Sequence, residues 1–215
     1  MYNPQKYSGS IGRGLPRSQE EPKTFHFRGY LPHLEQKPLQ MVTFRLADSL
    51  PKEVVEKWKC EMELAEGTTQ SDERMVRLRK LMDQYEDAGY GRCFLCDERI
   101  AKLMEETLFH YDGIHYRLVR WCIMPNHVHV MIEPLESYTL SAILKEWKSY
   151  TSHVVKKELG LSGSFWMQEY YDRYVRDMNH YRYAVEYIDN NPVKARLAKR
   201  PSDWRWSSAY WESLP

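Results

Sequence analysis

From residue 123 to 134 the chain alternates with period 2. His127, His129, Met131 and Glu133 fall on one face of a predicted strand, and Val128, Val130 and Ile132 fall on the other. The apolar set can enter a core. The two imidazoles then stand side by side, roughly 6.5–7 Å apart at their backbones, a spacing that suits two ligands of one metal ion. Pro125-Asn126 is a turn signal, and residues 114–122 alternate as a preceding strand, so the pair predicts a hairpin with histidines on a sheet surface.

The rest of the pattern alternates strands with helices. Residues 39–46 read as a first strand closed by Asp48-Ser49-Leu50-Pro51. Helical stripes follow over 52–64 (Val54, Val55, Trp58, Met62) and 72–87 (Met75, Leu78, Leu81, Met82, Tyr85), broken at 67–71. Their many charges describe a solvated face. A third helix over 97–110 buries Ile100, Leu103, Met104 and Leu108. The longest, 138–159, carries Leu140, Ile143, Leu144, Trp147 and Thr151, and Gly160 ends it. An aromatic extended segment spans 164–176. A helix over 180–190 then has Asp177 and Asn179 as candidate caps. Asn191-Pro192 reads as an N-cap with proline at the first position of a short helix, 193–199. Trp204 and Trp206 are expected to pack back on the domain. This order predicts an α+β fold, a ferredoxin-like antiparallel sheet with helices on one face, a C-terminal helix and a helical insertion after the first strand.

The 215 residues amount to one domain with decoration: an arm over 1–23, rich in Gly, Pro, Ser and charge, and a domain over 24–215 in which 52–95 is the insertion or a lengthened crossover. A formal net charge of +1 means that any nucleic-acid binding rests on local charge. Residues 136–200 hold eleven Lys and Arg against eight Asp and Glu, whereas 31–100 hold eleven against fourteen. Sixteen Tyr and seven Trp suit base stacking and ordinary packing alike. The N-terminus has no apolar signal segment, and no run approaches the ~20 apolar residues of a membrane span. With Cys60, Cys93, Cys96 and Cys122 in no secretory context, a reduced, cytoplasmic protein is expected. Cys93-x-x-Cys96 lacks a second pair at zinc-site spacing and is read as incidental.

His-x-His alone is equally two polar positions on a solvent-facing strand. A second motif changes its weight. Tyr187 and Asn191 are four residues apart, on one helical face if the helix persists across the junction. A tyrosine hydroxyl beside a divalent cation can attack a phosphate, and an amide oxygen can join two imidazoles as a ligand. Tyr187 is also explicable as a packing residue, with Tyr183 one turn earlier as the alternative nucleophile, and Asn191 as a cap.

Met124-Pro125-Asn126-His127-Val128-His129, then Phe165-Trp166-x-Gln168-x-Tyr170-Tyr171-Asp172-Arg173, Tyr187-Ile188-x-x-Asn191-Pro192-Val193-Lys194-Ala195 and Asp203-Trp204-x-Trp206-Ser207-Ser208 together resemble the REP-associated tyrosine transposases. These belong to the single-tyrosine branch of the HUH endonuclease superfamily. The resemblance runs in order over about residues 30–210 and is dense from His115 onward. It implies His127 and His129 as metal ligands, Asn191 completing the site, and Mg²⁺ or Mn²⁺ as the ion. It implies Tyr187 as the nucleophile that forms a 5′-phosphotyrosine link to single-stranded DNA and releases a 3′-OH. The implied substrate is a DNA hairpin with a single-stranded flank, such as a repetitive extragenic palindrome. Lys145, Lys148, Arg173, Arg176 and Arg182 are candidate phosphate contacts. A monomer or homodimer associated with a bacterial nucleoid is expected. The chain departs from many relatives in lacking a Gly-Thr-Trp-Ser segment near the first strand, where Gly29-Tyr30-Leu31-Pro32-His33 stands instead.

Two other functions compete. A non-catalytic protein that kept the fold to bind hairpin DNA or RNA would bind without cleaving. A replication-initiation or relaxase-type nuclease is disfavoured by motif order, because relaxases generally carry the tyrosine ahead of the histidines.

Overall fold

A computed structural model describes residues 25–27, 32–34, 39–65, 84–85, 88–135 and 137–214. The arm over 1–23 lies outside the described residues, as does most of the helix expected over 72–87. Two short strands, β1 (Phe25–Phe27) and β2 (Pro32–Leu34), pair with each other. The main elements follow in chain order: β3 (Gln40–Leu46), α1 (Lys52–Ala65), α2 (Glu98–His110), β4 (Tyr116–Ile123), β5 (His127–Pro134), α3 (Leu140–Leu159), β6 (Trp166–Tyr174), α4 (Met178–Lys194) and α5 (Ser208–Ser213). β4, β5, β3 and β6 form an antiparallel sheet in that spatial order. This is the βαββαβ arrangement the sequence predicts.

The period-2 pattern of β5 sorts its residues as expected. Val128, Val130 and Ile132 join Phe44 and Leu46 in a core that takes Ile100, Met104 and Leu108 from α2 and Ile143, Leu144 and Trp147 from α3. Two polar side chains of this layer are satisfied within it: Trp147 Nε1 donates to Tyr116 Oη at 3.0 Å, which donates to the Leu108 carbonyl at 2.9 Å. The other face carries Met41, Cys122, Met124 and Met131, and Ala184 and Ile188 of α4 cover it. Helices therefore lie on both faces, and α4 lies over the histidine face.

Local signals set the helix ends. Asp97 accepts from Arg99 N, Thr139 from Ala142 N and Asp177 from His180 N. Gly160 closes α3 at φ 61°. One boundary differs from expectation. Asn191-Pro192 opens no new helix, because α4 runs unbroken from Met178 to Lys194 with Pro192 inside its last turn. There a proline forfeits one hydrogen bond, and burial of Ile188, Asn191 and Pro192 keeps the face continuous. Arg196, at φ 59°, ends the helix. Arg196 N donates to the Val193 carbonyl (3.0 Å) and Leu197 N to the Pro192 carbonyl (2.8 Å), a Schellman ending. The short helix expected over 193–199 is absent for the same reason.

The two edges are treated differently. Against β4, Cys122 bridges Ser207, Ile123 N donates to the Trp206 carbonyl, and Trp204 Nε1 donates to the Ile123 carbonyl. Glu105 fastens this tail, accepting from Arg205 (3.1 Å) and Trp211 Nε1 (2.8 Å). β6 carries a bulge opposite the Phe44/Leu46 step of β3. No helix among the described residues is long and apolar enough to cross a membrane.

Candidate active site

The turn before β5 is pinned from two directions. Leu46 N, at the end of β3, donates to the Asn126 carbonyl at 2.8 Å, and Leu95 N donates to the Pro125 carbonyl at 3.1 Å. The chain returning from the insertion thus buttresses the histidine strand. Its path needs Gly91, which sits at φ +92° and approaches Asp48 so closely that a Cβ would lie 2.5 Å from the Asp48 carbonyl oxygen.

His127 and His129 are buried, and their Nε2 atoms face each other at 2.9 Å. Each ring is held from behind through Nδ1. Asn126 donates through Nδ2 to the Tyr90 carbonyl at 2.9 Å, which turns its Oδ1 to His127 Nδ1 at 2.7 Å. An amide oxygen only accepts, so the network assigns the neutral His127 proton to Nδ1 and leaves a lone pair on Nε2. Thr43 Oγ1 lies 2.8 Å from His129 Nδ1. A hydroxyl donates or accepts, so His129 can carry its proton on either nitrogen. With the proton on Nε2, His129 donates to His127. With the proton on Nδ1, both Nε2 lone pairs point into one space.

That space fits a divalent cation. Adjacent vertices of an octahedron with ~2.1 Å bonds lie about 3.0 Å apart, close to the observed 2.9 Å, and outer-shell acceptors on Nδ1 are the usual companions of metal-bound histidines. Asn191 adds a buried Oδ1 with no hydrogen-bond partner. Since Asn191 is not a helix cap, its amide is available for another use. No group of three or more His, Cys, Asp or Glu side chains suited to a metal occurs among the described residues, so a site here would combine two imidazoles with an amide. Glu133 shares the histidine face but is ion-paired with Arg117, its cross-strand neighbour at the far end of β5.

Tyr187 lies on α4 over this face. Its ring meets that of His129 edge-on, 5.4 Å between centroids, and stacks on Tyr183 at 6.3 Å. Asn191 follows one helical turn later on the buried side of α4. Residues from three separate stretches of sequence thus meet on one side of the sheet.

The five candidate phosphate contacts divide into groups. Arg173 and Arg176 are exposed and flank His180 at the start of α4, where burial and these two arginines hold the imidazole below its ordinary pKa. Arg182 is exposed on α4, and Lys145 is exposed on α3. Lys148 instead turns inward: its ammonium donates to the Met167 (3.0 Å) and Gln168 (3.1 Å) carbonyls of the β6 bulge. Burial lowers its pKa to about 7, with Glu169 opposing the shift and Arg45 reinforcing it.

Three residues at the site carry no sequence signal of their own: Thr43, Asn126 and Arg45. Arg45 is 4% exposed, lies directly opposite His127 in the β3–β5 register and shares the face of Thr43. The strand pattern of 39–46 marks Thr43 and Arg45 only as strand, and their roles come from the pairing of β3 with β5, more than eighty residues away; Asn126 reads only as a turn residue.

Residues 94–191 match the family model described as IS200-like transposase. The matched span covers most of the sheet, both histidines, Tyr187 and Asn191. A REP-associated tyrosine transposase of Escherichia coli (strain K12) is 29% identical over 94 residues, 43% of this chain and 54% of that protein. An uncharacterized protein of Haemophilus influenzae is 27% identical over 99 residues, 36% of this chain and 54% of that protein. The matches thus span about half the length of these curated relatives. A solved REP-associated tyrosine transposase bound to a REP hairpin has the same fold as this chain, with a TM-score of 0.51 at 16% identity over 86% of this chain and 82% of that one.

Proposed function

We propose that the protein is a metal-dependent tyrosine transposase, a single-stranded DNA nuclease and strand transferase acting on DNA hairpins with an unpaired flank, such as repetitive extragenic palindromes. One observation carries the reading: the facing Nε2 atoms of His127 and His129 and the Tyr187 ring occupy the same face of the sheet.

In this reading the phenolic oxygen of Tyr187 attacks the scissile phosphorus. A phosphorus–oxygen bond to Tyr187 forms as the phenolic proton passes to solvent, the bond to the 3′ oxygen breaks, and that oxygen leaves as a 3′-OH after taking up a proton from solvent. The 5′ end stays on Tyr187 until a 3′-OH reverses the step. His127, His129 and Asn191 would hold Mg²⁺ or Mn²⁺, which would neutralise the non-bridging oxygens and fix the phosphate for in-line displacement. Asn126 and Thr43 keep both imidazoles oriented. α4 holds Tyr187 against His129 so that little orientational freedom remains to be lost in the attack. Arg45 adds a fixed positive charge beside His127. Arg173, Arg176 and Arg182 would guide DNA along α4. Residues 24–215 act as one unit in this account, and 88–96 of the insertion brace the histidine turn.

The test is a denaturing gel of labelled hairpin oligonucleotides, taken from the flanks of the gene, incubated with the protein and Mn²⁺. A covalent protein–DNA band lost with chelator and in Tyr187→Phe is expected. Hairpin binding with no covalent band in wild type would leave only the non-catalytic function.

A further inference from the structure

His180, Tyr183, Tyr187 and Asn191 recur on α4 at spacings of three and four residues, so they form one stripe along the helix. Burial deepens toward the site. Asn191 is 2% exposed, and Tyr187 is partly buried against the cluster that holds Met41, Met124 and Met131. Tyr183 is 58% exposed, and no aromatic ring among the described side chains is more so. It stacks on Tyr187 at 6.3 Å between centroids and 28° between planes, and Tyr187 in turn meets His129 edge-on at 5.4 Å. With one face against Tyr187, the exposure of Tyr183 belongs to its other face and its edge. Arg173, Arg176 and Arg182 stand exposed around the same end of α4. Cations that can meet phosphates thus surround a bare ring, the combination that single-stranded nucleic acid uses.

We propose that the outer face of Tyr183 stacks the base of a nucleotide next to the phosphate that Tyr187 attacks, and so sets the position of the strand in the site. The proposal rests on the reaction described above. Tyr183 and Tyr187 are four residues apart, about 6 Å along the helix, so a base on Tyr183 lies one ring beyond the attacking phenol. Such a base belongs to a neighbour of the attacked phosphate in the unpaired flank. Every base has a π-face, so the platform accepts all four and discriminates by stacking strength: purines over pyrimidines, and both over a missing base. The role is that of a ring and not of a hydroxyl, which separates Tyr183 from Tyr187 in kind.

Fluorescence anisotropy with the full chain tests this, in chelator so that no covalent step intervenes. The probe is a labelled hairpin oligonucleotide with its flank, taken from the flanks of the gene, and a set in which each flank nucleotide in turn is abasic. Wild type is compared with Tyr183→Leu, Tyr183→Phe and Tyr150→Leu, the last removing an exposed ring on α3. We expect one flank position at which the abasic probe weakens wild-type binding by about 5- to 100-fold. Tyr183→Leu should lose a similar factor on the intact probe and nothing beyond about twofold more when that same position is abasic. Tyr183→Phe and Tyr150→Leu should stay within about twofold of wild type. Intact-probe affinity unchanged in Tyr183→Leu, the same loss for Tyr183→Leu on every abasic probe, or a Tyr183→Phe as weak as Tyr183→Leu overturns the proposal while leaving the covalent reaction standing. A wild type that binds none of the probes overturns both.

Discussion

Replacing Asn126 with alanine separates a metal-site account from a purely structural one. Asn126 is fully buried and uses its amide twice, accepting from His127 Nδ1 at 2.7 Å and donating to the Tyr90 carbonyl at 2.9 Å. The alanine leaves the His127 N–H buried without an acceptor, which costs about 1–3 kcal/mol. The Tyr90 carbonyl loses its donor too, but Tyr90 is 45% exposed and water takes over, adding at most ~1 kcal/mol. The expected loss of stability, read by urea denaturation, is therefore about 1–4 kcal/mol. The His127 ring also loses the contact that fixes its tautomer, and changes of this kind cost about 10–100-fold in metal affinity. Calorimetric titration with Mn²⁺ measures that term directly. Asn126→Asp is the control: its carboxylate still accepts from Nδ1 but cannot donate to Tyr90. It should keep Mn²⁺ affinity within a few-fold of wild type while losing stability. If Asn126→Ala loses stability but binds Mn²⁺ as tightly as wild type, the claim that Asn126 positions a metal ligand is wrong.

Two further predictions concern stability. Burial pushes the Asp189 carboxyl up to about 6, against the pull of Arg120. A carboxyl held above its unfolded value of about 3.9 contributes stability that is complete below about pH 4 and lost as pH rises through 6, here on the order of 2–3 kcal/mol. Asp189→Asn should abolish that loss, so the variant gains on wild type from pH 4 to 7 in denaturant titrations; a constant difference across that range would refute the assignment. Arg196→Gly should stabilise the fold by about 0.5–1 kcal/mol, because relief of a left-handed backbone, worth roughly 1–2 kcal/mol, outweighs the added chain entropy of glycine. A lower thermal midpoint in Arg196→Gly would contradict this.

The parts of the fold legible in sequence are those whose signal is local. Alternation over 127–133 placed two histidines on one face and three aliphatics on the other. Asp177 and Gly160 marked helix ends through their own chemistry. Asn191-Pro192 misled because the same dipeptide serves as a cap with proline at the first helical position or as the last turn of a longer helix, and tertiary burial of Ile188 and Asn191 decides between them. Thr43, Asn126 and Arg45 were invisible as site residues, since Thr43 and Arg45 reach the histidines only after β3 has paired with β5, and Asn126 looked like a turn residue. Lys148 was visible as a charge on a helix, but its use on the β6 carbonyls depends on a bulge that no local pattern announces.

In the proposed reaction one phenol, that of Tyr187, becomes bonded to DNA. Peptide mapping by mass spectrometry of protein incubated with the hairpin substrate and Mn²⁺ reads this residue by residue. A phosphodeoxynucleotide carried by Tyr187 is the predicted result. The same group on Tyr183, or on any residue away from the histidine face, contradicts it.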